Sequence, residues 1–128
     1  MSSIEISFVI ASSYPKELAE FYAHFNEVEI HKGIDSDHYL LSLRNVLTIQ
    51  IYRPSAKQSC PKGGRTIALC FQSNPSTDPI AKIKRWSSEI TQIGGSIVST
   101  PNKKSFGAEL WLSDPDGNNF LIFAPSIS

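Results

Sequence analysis

Asp114-Pro115-Asp116-Gly117-Asn118 stands between two short apolar-rich runs, Ala108 to Leu112 and Asn119 to Phe123. Pro115 presets φ for the first corner of a tight turn, Asp114 and Asn118 can bond their own backbone, and Gly117 tolerates positive φ. The stretch therefore predicts a β-hairpin. In the first of its strands Leu110 and Leu112 alternate with Glu109, Trp111 and Ser113, so one face is aliphatic and the other mixed.

Working back from this hairpin, Ser96 to Ser99 reads as a further strand, preceded by a helix that opens at Asp78-Pro79 and closes at Gly94-Gly95. Ile80, Ile83, Ile90 and Ile93 form the apolar stripe of that helix, with either Trp86 or Ser87 between them. Thr66 to Phe71 supplies the strand before it. The Ser-, Lys-, Pro- and Gly-rich segment from Pro54 to Gly64 reads as a linker. The first half repeats the pattern. Ile4 to Ala11 alternates as a strand; Pro15, after Ser13 or Tyr14, starts a helix with Leu18, Phe21, Tyr22 and Phe25 on one stripe. Glu27 to His31, His38 to Leu43 and Val46 to Tyr52 follow as strands. The order is βαβββ twice at a period of about 60 residues, a duplicated module of the α+β class rather than a solenoid.

Composition narrows the function classes. Twelve basic residues balance twelve acidic ones, so no basic footprint points to nucleic acid or an anionic membrane. At 128 residues and 41% hydrophobic content one domain can bury a core without disulfides: module one about 1–54, a linker about 55–64, module two about 65–128. No apolar run has the length of a membrane span, and the opening MSSIEIS lacks a secretory pattern, so a cytoplasmic location is expected. Cys60 and Cys70 form no CxxC and are expected to be free thiols, Cys70 as a small packing residue. The hairpin turn is not a calcium loop, since its Gly comes fourth and no Glu follows at the twelfth place. Lys62-Gly63-Gly64-Arg65 opens a strand rather than a helix and reads as a connector.

The hairpin turn, Ser105-Phe106-Gly107 seven residues upstream of it, and Ala19-Glu20-Phe21-Tyr22 on the first helix together resemble the glyoxalase, bleomycin-resistance and dioxygenase superfamily, the vicinal oxygen chelate fold. The resemblance implies two βαβββ modules forming a curved mixed β-sheet around a concave pocket, with helices outside. It also implies metal ligands, usually His, Gln or Glu, from the first and fourth strands of each module. Matched to that motif, Ser7 takes the first position, Gln50 the second, Thr66 the third and Leu121 the fourth. Two hydroxyls, an amide and an alkyl group make a poor set for a transition metal, so no metal and no cofactor is expected. His24, His31 and His38 show no ligand spacing; His38 is expected at the surface or facing the cavity.

If the motif positions face inward, alternation brings Val9, Thr48, Tyr52, Ala68, Cys70 and Phe123 in with them, and Glu109 and Trp111 on the hairpin. Phe8, Ile10, Ile49, Ile51, Ile67, Leu69, Phe120 and Ile122 then face the helices. The expected ligand-binding set is Ser7, Gln50, Tyr52, Thr66, Glu109, Trp111, Leu121 and Phe123, apolar and aromatic with a few polar groups. The leading expectation is a homodimeric protein that sequesters an apolar or aromatic small molecule without metal chemistry, as the resemblance to bleomycin-resistance members implies. Two alternatives stand beside it. One is an enzyme of lyase, isomerase or dioxygenase type, either with His38 and Glu109 as displaced metal ligands or metal-free with Glu109 as general base. The other is a structural dimer with a filled cavity.

Overall fold

The computed structural model describes residues 6–44, 46–56 and 67–127. Thr66, Cys60 and most of the expected linker lie outside these. The chain divides into two compact units, Met1–Pro61 and Lys62–Ser128.

In the first unit, β1 (Ser7–Ala11) leads into α1 (Pro15–Asn26), followed by β2 (His31–Lys32), β3 (His38–Leu43) and β4 (Leu47–Tyr52). The strand order is β1-β4-β3-β2, with β1 parallel to β4 and the other pairs antiparallel. Pro15 sits at the first helical position after Tyr14, where a missing N–H costs nothing, and Ser12 Oγ accepts from the Tyr14 N–H at 2.9 Å. Leu18, Ala19, Phe21, Tyr22 and Ala23 are buried from α1, against Tyr39 and Leu41 of β3 and Ile49 and Ile51 of β4. Each such aliphatic side chain contributes about 1.5–3 kcal/mol when fully buried. Phe21, Tyr22 and Phe25 pack edge-to-face or tilted against one another with centroids 5.1–5.8 Å apart. The strand expected from Glu27 to His31 is shorter. Glu27 ends the helix in the left-handed conformation (φ 55°), and the N–H groups of Glu27 and Val28 cap the carbonyls of His24 and Ala23, so these residues are spent on the helix end.

The second unit repeats the order: β5 (Cys70–Gln72), α2 (Pro79–Gln92), β6 (Ser96–Ile97), β7 (Asn102–Lys104), β8 (Gly107–Ser113) and β9 (Asn119–Pro125). Its sheet runs β5-β9-β8-β6, with β5 parallel to β9 and β7 also on β8. First and last strands are again parallel neighbours, as the duplication predicts. Asp78 accepts from the Ala81 N–H at 3.2 Å and caps α2. Ile83, Ser87 and Ile90 are buried against Ala108, Leu110, Leu112, Phe120, Ile122 and Ala124. The choice between Trp86 and Ser87 thus falls to Ser87, whose buried hydroxyl donates to the Lys84 carbonyl at 2.9 Å.

Two expectations for this unit fail. The strand expected from Thr66 begins at Cys70, and Ile67, expected against the helix, is 77% exposed and outside any strand. The strand expected from Ser96 to Ser99 is shorter, β6 at Ser96–Ile97, and a further strand outside the expected bounds, β7, lies along the opposite end of β8. Pro101, which has no N–H to give, stands in the gap. The Ser105-Phe106 pair is the turn between β7 and β8. Among the described residues no helix is long and apolar enough to cross a membrane.

Candidate functional site

Each sheet has one face under its helix and one face without a helix, and the expected site residues that the structure describes lie on the latter. On the first sheet the register sets Ser7, Val9 and Ala11 of β1 beside Thr48, Gln50 and Tyr52 of β4. His38, Leu40 and Ser42 of β3 continue the same face.

A chain of hydrogen bonds crosses it. The Ile34 backbone N–H donates to His38 Nδ1 at 2.9 Å. Nδ1 is therefore the acceptor, so Nε2 carries the ring hydrogen and donates to Gln50 Oε1 at 3.0 Å. That turns the Gln50 amide so that Nε2 donates to Ser7 Oγ at 2.8 Å. One backbone donor thus fixes a tautomer, an amide orientation and a hydroxyl. The β2–β3 turn that supplies it is itself pinned. Gly33 N–H donates to the His38 carbonyl at 2.7 Å, and Asp35 Oδ1 accepts from the Asp37 N–H at 2.9 Å. Gly33 must lack a side chain, because a Cβ there would overlap the His38 ring. At the same end of β4, Arg53 is held by Asp37 at 3.2 Å and by the Ser13 carbonyl at 2.6 Å.

On the second sheet Glu109, Trp111 and Ser113 of β8 stand opposite Phe123, Leu121 and Asn119 of β9. The Phe106 ring, 58% exposed, lies 5.7 Å from that of Phe123. The Trp111 N–H donates to Ser99 Oγ at 3.1 Å, which fixes the strand beneath the indole. Glu109 Oε1 lies 3.6 Å from Lys104 Nζ. Cys70, expected as a small packing residue, is exposed. Its thiol pKa is raised, chiefly by partial burial of the sulfur and next by the charge of Glu109, so it holds less thiolate than a free cysteine.

Of the expected set, Ser7, Gln50 and Tyr52 share one face of the first sheet, and Glu109, Trp111, Leu121 and Phe123 one face of the second. Thr66 lies outside the described residues. His38, expected only as a surface or cavity histidine, has a defined role as the support of Gln50. Its signal in the sequence was Gly33 ahead of it in a β-hairpin, a residue that leaves room for a ring.

The shared topology has counterparts among solved structures. A glyoxalase/bleomycin resistance protein/dioxygenase family enzyme from Burkholderia phytofirmans PsJN superposes with a TM-score of 0.74 at 13% identity, covering 93% of this chain and 96% of its own. The chain has the vicinal oxygen chelate fold. FosX, a genomically encoded fosfomycin resistance protein from Listeria monocytogenes, gives 0.70 at 14% identity, with 99% and 97% covered. TnmS3, an antibiotic binding protein from Streptomyces sp. CB03234, gives 0.65 at 15%, with 98% of each chain covered. No family model and no curated protein matches the sequence.

The metal that this fold implies does not suit the side chains at the motif positions described. Leu121 has no donor atom, Gln50 Oε1 is taken by the His38 N–H, and Ser7 Oγ accepts from Gln50. Both nitrogens of His38 are engaged as well, one as acceptor and one as donor. Among the described residues no three His, Cys, Asp or Glu side chains gather as a metal ligand set.

Proposed function

We propose that this protein binds a small apolar or aromatic molecule noncovalently on the helix-free faces of its sheets, without metal chemistry. The observation that carries the reading is the chain from Ile34 through His38 and Gln50 to Ser7. It uses one lone pair of Gln50 Oε1 and one of Ser7 Oγ in hydrogen bonds at the first two motif positions, where an amide and a hydroxyl are already poor ligands for a transition metal. Tyr52 offers aromatic surface beside Ser7 and Gln50 on the first sheet, and Trp111 and Phe123 offer it beside Glu109 on the second, each the composition of a small-molecule site. A fold neighbour described as an antibiotic binding protein is consistent with binding of a small molecule. The protein acts in the cytoplasm as a homodimer in this reading.

Burial of one aromatic ligand gives micromolar affinity, about −8 kcal/mol. A thermal-shift screen of an unbiased aromatic library on wild type and Trp111→Ala tests it. Hits whose stabilisation vanishes in a still-folded Trp111→Ala protein are expected. A screen without hits, together with a metal ion bound stoichiometrically and lost on mutating Gln50, contradicts the reading.

A further inference from the structure

The hydrogen-bond chain on the first sheet does more than occupy lone pairs, because it has a direction. A serine hydroxyl has one hydrogen to donate and two lone pairs to accept with. Gln50 Nε2 donates to Ser7 Oγ, so the Ser7 hydrogen cannot point at Gln50. Among the described residues no acceptor takes it, and Ser7 is exposed on β1. The opposite polarity is closed off from behind. Turning the Gln50 amide over would set its NH2 against the His38 Nε2–H, donor against donor. Moving that ring hydrogen to Nδ1 would set it against the Ile34 N–H, at 2.9 Å, with Gly33 packed against the ring. A turn on one side of the sheet thus determines that the hydroxyl on the other presents a donor.

The charge around it is as informative. The same face of β1, β3 and β4 carries Val9, Leu40 and Tyr52 beside Ser7 and Gln50, with neither Lys nor Arg. Two described cations of this unit are engaged elsewhere. Arg53 is held by Asp37 and the Ser13 carbonyl, and Lys32 lies 4.9 Å over the Tyr39 ring while donating to the Ser36 carbonyl. An anion on this face would lose hydration without gaining a countercharge, whereas a neutral carbonyl loses little and gains one donor.

Building on the ligand-binding reading above, we propose that Ser7 is the specificity-determining residue of the first sheet, donating its hydroxyl hydrogen to an uncharged oxygen acceptor on the ligand. The class selected is the aromatic ketone. His38 and Gln50 are positioning residues that act through Ser7.

The test uses 9-fluorenone, fluorene and fluorene-9-carboxylate, three tricycles that share a skeleton and differ in the group offered to Ser7, titrated calorimetrically in EDTA. Wild type is expected to favour fluorenone over fluorene by about fivefold, the worth of one neutral hydrogen bond, with the carboxylate weakest. Ser7→Ala removes the donor. Gln50→Glu reverses it, since a carboxylate must accept from Ser7 and so turns the hydrogen inward. Both variants are expected to bring the fluorenone-to-fluorene ratio to about one, with the circular dichroism of the wild type as the check on folding. A wild-type ratio of one, a ratio unchanged in Ser7→Ala, or a preference for the carboxylate overturns this inference and leaves the binding reading standing. No binding of any of the three overturns both.

Discussion

Asp114 is a charged residue that the molecule buries, at 3% exposure, and its carboxylate organises the hairpin turn. Oδ1 accepts from the N–H groups of Asp116 and Asn118, each at 2.9 Å, and Oδ2 accepts from Asn118 Nδ2 at 2.9 Å. Gly117 supplies the positive φ of 87° that closes the loop. Asp114→Ala leaves those donors without an acceptor, and is expected to cost about 2–3 kcal/mol in urea unfolding, with Asp114→Asn losing less. Cys70 carries a second prediction. Because its pKa is raised, its thiolate fraction near neutral pH is below that of a free thiol. In a Cys60→Ser protein, iodoacetamide should modify Cys70 more slowly than free cysteine, with a rate still climbing at pH values where that of the free thiol levels off. Glu109→Gln removes the smaller of the two causes and should shift the profile to lower pH.

At the scale of elements, what the sequence makes legible is what burial enforces. Leu110, Leu112, Phe120 and Ile122 alternate because α2 covers one face of their strands, and Leu18, Phe21 and Tyr22 recur because one stripe of α1 is buried. Both helices therefore begin where Tyr14-Pro15 and Asp78-Pro79 place them. The elements that escaped reading are the outer ones. β2 and β7 are two and three residues long, exposed at every position, and held by ladder bonds to one neighbour, so no apolar period marks them. The candidate site was legible to the same degree. Ser7, Gln50 and Tyr52 follow from alternation, whereas the pairing of His38 with Gln50 depends on a turn whose geometry periodicity does not encode. That turn is open to test. Gly33→Ala drives a methyl into the His38 ring, and is expected to cost about 1–3 kcal/mol and to break the bond to Gln50. The His38 ring-nitrogen shifts in a 15N spectrum would then lose the single-tautomer pattern of the wild type.

At the scale of the whole molecule, β1 ends the strand order of its sheet, and apolar residues on and just before it are exposed, Val9 at 61% and Ile6 at 74%. Association of two copies would cover such an edge. Light scattering at micromolar concentration should therefore give twice the chain mass, and Ile6→Asp should lower it to that of one chain with the circular dichroism unchanged. The central claim, however, concerns what binds on the helix-free faces. Amide and side-chain 1H–15N spectra of the wild type, recorded in EDTA with and without the strongest compound from the aromatic screen, address it most directly. The account predicts saturable shifts on a helix-free face, at Val9 and Gln50 of the first sheet or at Trp111 and Phe123 of the second, while the exposed faces of α1 and α2 stay still. Shifts confined to the helices, or shifts at Gln50 that appear only when a divalent metal replaces the EDTA, would contradict it.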